Sequence, residues 1–284
     1  MTAEKSPTWF ITGASSGFGM AFARYALERG CNVAATARSP EKLRSLATEQ
    51  PNRVLAHRLD VTIPSEAEDA VSASLARFGR IDLLINNAGY GVVGAFEETP
   101  DAELRAQMET NFFGAVSVTR AALPSMRAAR SGAIVNISSL GGQLSFGGFS
   151  AYSASKFALE GLSEALAQEV APFGIKVLIV EPGAFRTSFA ADALKHMPDM
   201  DAYREIVGGT RDFARRMDGT QDGDPYKAAR AIDMALRAAT PPLRLQLGAD
   251  SVAAIRAHSE QLLKDLTTWE KVAIETRVDS GDTQ

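Results

Sequence analysis

The sequence predicts an α/β protein with a doubly wound parallel sheet, because short β-type segments alternate with longer helical segments along most of the chain. Several short segments are almost continuously apolar, as in residues 81–85 and 177–180. Strands that are buried on both faces have this composition, and such strands occur in parallel sheets covered by helices. The 284 residues contain no internal repeat and no low-complexity linker, so a single domain is predicted.

The individual elements follow from this alternation. About seven strands are predicted, at residues 8–12, 32–37, 54–59, 83–86, 133–138, 176–180 and 244–247. Flanking helices are predicted at residues 17–29, 40–48, 65–78, 101–126, 152–171 and 225–239. Some helix starts carry their own signal, such as Ser39-Pro40 and Asp224-Pro225, where a capping residue precedes a proline in the first turn.

Two segments fall outside the alternation. Residues 185–224 are mixed in polarity and lack a strand-like run, which predicts a small helical insertion that forms a lid between the sixth and seventh strands. Residues 249–284 are predicted to form a C-terminal helical extension, with a helical pattern over 251–278 and a frayed polar tail. The pattern is compatible with an extension that covers either a pocket or a subunit contact.

Composition excludes several classes of function. The formal net charge is −4, so no basic surface for nucleic acid or an anionic membrane is expected. The single cysteine, Cys31, lies in an apolar context and is predicted to be a buried core residue. No Cys/His cluster has metal-ligand spacing, so no metal is predicted. Because no signal-peptide pattern and no apolar run of about 20 residues is found, we expect a cytoplasmic protein without a membrane span.

A glycine-rich turn follows the first strand. The sequence Thr12-Gly13-Ala14-Ser15-Ser16-Gly17-Phe18-Gly19 places three glycines at the start of a helix. Glycine suits positions where the backbone turns sharply, approaches a pyrophosphate or lets a helix pack closely on a strand. The free N–H groups at a helix start favour phosphate. This turn therefore predicts a Rossmann-type nucleotide-binding domain.

Three further motifs complete an ordered set. Asn86-Asn87-Ala88-Gly89 follows the fourth strand, Tyr152 precedes Lys156 by four residues, and Pro182-Gly183 follows the sixth strand. With the glycine turn, these motifs resemble those of the short-chain dehydrogenase/reductase family over about residues 8–187. The resemblance implies an oxidoreductase that uses a nicotinamide cofactor to interconvert an alcohol and a ketone or aldehyde.

The resemblance also assigns the catalytic residues. Tyr152 and Lys156 share one face of a helix, and an ammonium near a phenol is expected to lower the phenol pKa, which makes Tyr152 the general acid/base. Ser139 matches the family's substrate-orienting serine better than its neighbour Ser138. Asn111 matches the asparagine that helps hold a water in the proton relay, although an asparagine in an apolar helix also needs a structural partner. A serine hydrolase is disfavoured, because the sequence has no Gly-x-Ser-x-Gly elbow.

The cofactor is inferred from the end of the second strand. In the family an acidic residue there accompanies NAD, whereas an arginine accommodates the 2′-phosphate of NADP. Ala37 takes the acidic position and Arg38 follows it, so NADP(H) is predicted in preference to NAD(H). The residues predicted to bind the cofactor are Gly13, Ser15, Ser16, Gly17, Phe18, Gly19, Arg38, Ser39, Asp60, Val61, Asn87, Ala88, Gly89, Tyr152, Lys156, Pro182, Gly183 and Thr187.

The substrate side is predicted to be largely apolar. Phe146 and Phe149 lie in the glycine-rich stretch before the catalytic tyrosine, and Phe185 and Phe189 begin the insertion. These side chains suit a small hydrophobic carbonyl compound or alcohol.

Two other functions are compatible with parts of the pattern. An epimerase or dehydratase shares the Tyr-x-x-x-Lys motif but has a larger substrate domain than this chain offers. A non-catalytic nucleotide-sensing protein of the same fold would be expected to have lost Ser139, Tyr152 or Lys156, and all three are present.

Assembly is predicted from two long helices. Residues 101–126 and 152–171 are apolar on more than one face, as expected for helices buried by the core or by a partner subunit. Family members commonly pair these helices across a dimer axis, so the resemblance implies a homodimer or homotetramer.

Overall fold

The computed structural model describes residues 6–278. Nine strands are present among these residues: β1 (Thr8–Ile11), β2 (Asn32–Ala37), β3 (Val54–Arg58), β4 (Leu83–Asn86), β5 (Gly91–Val93), β6 (Gly132–Ile137), β7 (Ile175–Pro182), β8 (Leu194–His196) and β9 (Arg244–Leu247). Seven of them form one parallel sheet in the order β3-β2-β1-β4-β6-β7-β9. The predicted seven-stranded doubly wound fold is therefore confirmed.

Helices cover both faces of this sheet. One face packs against α1 (Gly17–Glu28), α2 (Arg44–Glu49) and α9 (Pro225–Arg237). The other face packs against α3 (Pro64–Phe78), α5 (Gly114–Ala129) and α6 (Ser150–Val170), with α4 (Asp101–Met108) preceding α5. The segment between β7 and α9 contains α7 (Phe189–Asp192) and α8 (Arg204–Arg216), and α10 (Ala249–Ile274) follows β9.

Two apolar cores result from this layering. In β1, Ile11 belongs to the core beneath α1 and α9, whereas its neighbour Phe10 belongs to the core beneath α3 and α5. Successive side chains of a strand point to opposite faces, so a strand buried on both sides must be apolar throughout. The continuous apolar runs in the sequence are explained by this double burial.

The helical boundaries differ from expectation at two places. The predicted helix over 101–126 is interrupted by a π-helical turn, Glu109–Phe113, between α4 and α5. The predicted helix over 40–48 begins as a 3₁₀ turn, Pro40–Leu43. Both departures lie next to the carboxyl edge of the sheet, where the site is found.

The 185–224 segment contains a strand that the sequence did not predict. β8 pairs in parallel with β5 to form a separate two-stranded sheet. Three residues, Leu-Lys-His, are too few to show an alternating pattern, so the expectation of a purely helical segment was wrong. The base of the segment is closed by a bridge between Phe185 and Gly223.

The strand order reverses between β1 and β4. β1 continues to β2 and β3 on one side, and β4 continues to β6, β7 and β9 on the other. Loops that leave the carboxyl ends of strands at such a point diverge and leave a crevice, which is the usual ligand position in doubly wound sheets.

Candidate active site

A cavity of about 1280 Å³ opens along the carboxyl ends of the strands. Most of the residues expected from the sequence to form the site line this cavity. They are Gly13, Ser15, Ser16, Gly17, Phe18, Arg38, Asp60, Val61, Asn87, Ala88, Gly89, Ser139, Tyr152, Lys156, Pro182, Gly183 and Thr187. The expected catalytic and nucleotide-binding groups thus share one continuous space.

Gly19, Ser39 and Asn111 were also expected at the site, but they do not line the cavity. Gly19 lies beneath the glycine turn, where a Cβ would come within 2.3 Å of the carbonyl oxygen of Gly13. Because Gly19 has no side chain, α1 can pack closely against the glycine turn. Ser39 directly precedes the 3₁₀ turn that begins at Pro40.

The glycine turn is held in place by the turn after β4. The Asn87 side-chain amide donates hydrogen bonds to the carbonyl oxygens of Thr12 (2.9 Å) and Gly13 (3.1 Å). In return, Thr12 Oγ1 accepts hydrogen bonds from the backbone N–H groups of Asn87 (2.9 Å) and Ala88 (3.0 Å). The two motifs therefore form one rigid unit at the strand reversal.

This unit fits a dinucleotide. Gly13 and Gly17 have φ values of 63° and 50°, a region that L side chains rarely adopt. Both glycines line the cavity together with Ser15 and Ser16, and α1 begins at Gly17. Bare backbone at a helix start is the feature by which Rossmann-type turns hold a pyrophosphate.

Two cations stand at the far end of the cavity. Arg38 and Lys42 both line it, and both are exposed. Arg58 supports this corner by donating a hydrogen bond of 3.0 Å to the carbonyl oxygen of Arg38. Ala37, at the end of β2, supplies no carboxylate. The sequence analysis did not identify Lys42. Its position four residues after Arg38, in the 3₁₀ turn that follows β2, is a signal that could have identified it.

Ser139, Tyr152 and Lys156 converge at the opposite end. Ser139 follows β6 and accepts a hydrogen bond of 3.0 Å from the Gly141 backbone, which fixes its side chain. Tyr152 lies in the first turn of α6, and its hydroxyl is hydrogen-bonded with Ser139. Lys156 lies one turn further, with Nζ 5.7 Å from the centroid of the Tyr152 ring and 2.8 Å from the carbonyl oxygen of Ile137.

The protonation of this group differs from the sequence-based expectation. Burial raises the pKa of Tyr152 above its ordinary value, and the hydrogen bond with Ser139 offsets part of the rise. The expected lowering of the Tyr152 pKa does not occur, because the effect of burial is the larger one. Burial also lowers the pKa of Lys156 to about 8, against the opposing effect of the nearby Glu160 carboxylate. At neutral pH Tyr152 is therefore a protonated phenol.

Asn111 lies next to the catalytic group and is fully hydrogen-bonded. Its amide nitrogen donates to the Tyr90 carbonyl oxygen and to Ser155 Oγ, each at 2.9 Å, and its amide oxygen accepts from the Tyr90 backbone at 3.0 Å. These bonds tie the π-helical turn to α6 and to the Asn-Asn-Ala-Gly turn. These hydrogen bonds give Asn111 the structural partners that the sequence led us to expect for an asparagine in an apolar helix.

Two buried carboxylates lie behind the Ser139 loop and were missed by sequence reasoning. Glu160 of α6 and Glu181 of β7 share Arg244 of β9, at 3.0 and 3.5 Å. Burial raises the pKa of both, and the raised value for Glu181 is about 7, with the Glu160 charge as the second cause. Glu160, Glu181 and Arg244 lie on three elements that are far apart in the sequence. No local sequence pattern therefore predicts that they meet.

Phenylalanine side chains form an apolar wall around the tyrosine. The rings of Phe149 and Phe189 lie 6.2 and 6.1 Å from the ring of Tyr152, measured between centroids. Phe146, which is 51% exposed, and Phe213 of α8 also line the cavity. Phe185 contacts the cavity but is largely buried against Phe18, at 5.0 Å between ring centroids.

A buried ion pair fastens the 185–224 segment to the rest of the protein. Arg211 of α8 contacts Glu98 at 2.6 Å, and both side chains are almost completely buried. Glu98 also accepts hydrogen bonds from the backbone of Ala95 and Met200. Burial acts to raise the pKa of Glu98, but the two backbone N–H groups and the guanidinium outweigh it and hold the pKa below its usual range.

Within residues 6–278, no group of three or more His, Cys, Asp and Glu side chains is arranged to hold a metal ion. No helix in the same range is long and apolar enough to cross a bilayer.

Comparisons with known proteins agree with this architecture. Residues 7–198 match the family model described as short chain dehydrogenase. The chain is 40% identical to Oxidoreductase BOA17 of Botryotinia fuckeliana over 94% of this chain and 97% of the relative. It is also 40% identical to the 3-ketodihydrosphingosine reductase of Bacteroides thetaiotaomicron, over 90% of this chain and 92% of that protein. The chain belongs to the short-chain dehydrogenase family and is an oxidoreductase of that family.

Solved structures extend the comparison. A short-chain dehydrogenase from Streptomyces avermitilis is 52% identical and superposes with a TM-score of 0.91, covering 96% of this chain and all of the other. A metagenomic short-chain oxidoreductase solved with NADP is 28% identical, with a TM-score of 0.67 over 85% of this chain and 96% of that one. A Burkholderia phymatum enzyme solved with NAD shares the fold at 23% identity, with a TM-score of 0.80 over 93% of this chain and 97% of that one. A nicotinamide cofactor is therefore supported.

Proposed function

We propose that the protein is an NADP(H)-dependent oxidoreductase that interconverts a hydrophobic alcohol and its ketone or aldehyde, with Tyr152 as general acid/base. The proposal rests on the observation that one continuous cavity contains both groups of residues. Its far end holds the cations Arg38 and Lys42, and its near end holds Ser139, Tyr152 and Lys156. A guanidinium and an ammonium at the ribose end favour the extra phosphate of NADP over the bare hydroxyl of NAD.

The chain's own groups supply the proton chemistry. When bound, the cofactor would provide the hydride or accept it. Ser139, whose hydroxyl accepts a hydrogen bond from the Gly141 backbone, would donate a hydrogen bond to the substrate oxygen. Tyr152, a protonated phenol at neutral pH because burial raises its pKa, donates a proton to that oxygen during reduction. Lys156 donates a hydrogen bond to the Ile137 carbonyl oxygen and, by the resemblance to the family, would bind the nicotinamide ribose.

The substrate class is inferred from the walls of the cavity. Aromatic and aliphatic side chains line the side of the cavity that faces Tyr152. These are Phe146, Phe149, Phe189, Leu194, Phe213 and Met217. Such a lining favours an apolar carbonyl compound over a charged one. The relative from Bacteroides thetaiotaomicron, named for a lipid-like ketone, supports the same class.

The test begins with cofactor binding. NADPH and NADH are titrated separately and followed by nicotinamide fluorescence, and a panel of apolar ketones and aldehydes is then added while absorbance is recorded. We expect tighter binding of NADPH and turnover of at least one panel member. Equal or better turnover with NADH at equal concentration would refute the cofactor preference.

A single substitution then tests the catalytic role. Tyr152→Phe removes the proton donor and should lower turnover by about 10²–10⁴-fold, with NADPH affinity retained. Tyr226→Phe, which removes a hydroxyl at the surface between α9 and α1, is the control and should behave as the unmodified protein. A nucleotide-sensing protein would show no turnover to lose and would bind NADPH equally well in all three forms.

A further inference from the structure

The helix α10 extends beyond the packed body of the protein. Its first turns contact the body, where Ser251 is buried and Ala254, Ile255 and His258 are half-buried. From residue 259 to residue 274 every position is exposed. At 1.5 Å per residue, this projecting stretch is about 24 Å long.

Large apolar side chains are concentrated on the projecting stretch. Leu266 and Trp269 are each 64% exposed. Four other residues are also more than half exposed: Leu262, Leu263, Val272 and Ile274. A solitary helix of this length is marginally stable in water, and a clustered apolar surface of this kind marks an interaction site. The projecting stretch therefore has the composition of a helix that is covered by a partner.

The spacing of the apolar positions defines the geometry of that partner. Steps of three and four residues alternate along the helix, which is the a/d repeat of a two-stranded coiled coil. The positions in this repeat are Val252, Ile255, Ser259, Leu262, Leu266, Trp269 and Ala273. Near Ile255 this seam packs on the protein's own body, and beyond Ser259 it continues past the edge of the body. A second helix beside the projecting stretch would match this spacing.

We propose that this partner is a second copy of the same chain, bound through α10 in an antiparallel helix pair. Leu262, Leu266 and Trp269 lie in the seam and Leu263 and Val272 flank it, so a second copy of α10 would cover five of the six large apolar residues that the projecting stretch exposes. A self-complementary seam on one helix also satisfies the requirement of a two-fold interface, in which both subunits offer the same patch. The proposal is independent of the reaction that the enzyme catalyses.

Charge and shape select the antiparallel orientation. In a parallel pair, Asp265 would face Glu270 of the partner subunit, and this contact between like charges would occur twice. In the antiparallel pair, Leu262 packs against the partner subunit's Ala273 and Leu266 packs against the partner subunit's Trp269. This orientation also places the two bodies at opposite ends of the helix pair, so that they do not compete for one position.

A membrane surface is less suited to α10 than a second copy is. Interfacial helices carry an excess of Lys and Arg on the polar face. The polar residues of α10 are instead mixed in sign: Asp250, Glu260, Asp265 and Glu270 stand with Arg256, Lys264 and Lys271. This balance favours a protein partner over an anionic bilayer.

Mass in solution tests the proposal. The chain has a mass of 30.3 kDa, and light scattering coupled to size exclusion gives the mass of the assembly. The double variant L266E/W269E places charges in the seam and should halve that mass. The matched control, T267E/T268E, adds the same charges on the outer face and should leave the mass unchanged. Circular dichroism of all three forms reports whether the fold is intact.

Three results would overturn the proposal. They are a monomeric unmodified protein, an unchanged mass for L266E/W269E, and equal dissociation in both double variants. Sedimentation with phosphatidylserine-containing vesicles tests the alternative that α10 binds a membrane surface. The result that favours this alternative is binding of the vesicles by the unmodified protein and not by L266E/W269E, with the same mass for both proteins by light scattering. In that case α10 is a lipid-binding helix and the proposal fails.

Cysteine cross-linking tests the orientation separately. The described residues contain one native cysteine, Cys31, which is buried. In the antiparallel pair, the variant L262C/A273C should form covalent dimers on mild oxidation, whereas L262C alone should not, because residue 262 then lies 11 residues, about 16 Å along the helix axis, from its own copy. Efficient cross-linking of L262C alone would show a parallel pair and would overturn the orientation.

Discussion

Arg38 and Lys42 together make the ribose end of the cavity cationic, and they allow the cofactor preference to be tested at single residues. Arg38→Ala should weaken NADPH binding by about 10–100-fold, the value of a charge-assisted hydrogen bond. NADH affinity should change little, because NADH lacks the phosphate. Dissociation constants from fluorescence titration provide the measurement.

Arg44→Ala is the control for this experiment. Arg44 is exposed at the start of α2, close in sequence to Lys42, but it does not line the cavity. A loss of NADPH affinity in both variants would indicate a general charge effect. Equal losses of NADPH and NADH affinity in Arg38→Ala would indicate that this arginine contacts another part of the nucleotide.

At the residue scale, the sequence was informative where a motif is local. Tyr152 and Lys156 are one helical turn apart, so their shared orientation follows from helix geometry alone. The pairing of Glu160 with Glu181 and Arg244 could not be foreseen, because it depends on the packing of α6, β7 and β9. The expectation that the pKa of Tyr152 falls is wrong, because the burial that raises this pKa arises from tertiary packing and leaves no local signal.

At the scale of elements, one buried ion pair, Arg211 with Glu98, joins α8 of the 185–224 segment to the rest of the protein. Arg211→Met would leave the Glu98 carboxylate buried without its cation, at a cost of about 3–5 kcal/mol. We expect this cost to appear as local opening of the segment. Limited proteolysis within 185–224 should accelerate and the KM for the carbonyl substrate should rise, with NADPH binding retained.

Arg215→Met tests the specificity of that effect. Arg215 lies on the same helix, and its side chain is about half exposed. An exposed ion pair contributes little, so this variant should be cleaved at the rate of the unmodified protein. Uniform destabilisation in Arg211→Met, without preferential cleavage in the segment, would argue against a separately opening element.

The long regular elements were predictable and the short irregular ones were not. The seven strands of the main sheet and helices such as α3 and α6 show strong periodicity over many residues. β8 has three residues, and the π-helical turn at Glu109–Phe113 follows from the packing of Asn111 against Tyr90 and Ser155, not from any local propensity. These short elements surround the candidate site, so the site was predicted less completely than the fold.

At the scale of the whole molecule, Glu181 couples stability to pH. Its side chain is fully buried, and its pKa rises from 4.5 to about 7 on folding. Between these values the native state binds more protons than the unfolded state, so stability is lost as pH rises from about 4.5 to 7. Glu181→Gln removes this dependence. The free energy of unfolding of the variant should gain about 3 kcal/mol relative to the unmodified protein between pH 4.5 and 7.

Denaturant unfolding at several pH values measures this difference. Glu164→Gln is the control, since Glu164 contacts the same Arg244 but is about half exposed. Its stability should run parallel to that of the unmodified protein across the pH range. Parallel curves for Glu181→Gln as well would show that this carboxyl titrates normally in the folded state.

The shared cavity also has a consequence for the timing of catalysis. The glycine turn and residues 182–187 line the same cavity as Phe189, Phe213 and Met217 of the 185–224 segment. A substrate seated beside Tyr152 would obstruct the exit of the nicotinamide half of the nucleotide. We therefore expect a compulsory order, with the nucleotide first to enter and last to leave. Product-inhibition kinetics should show the oxidised nucleotide competing with the reduced form and not with the carbonyl compound.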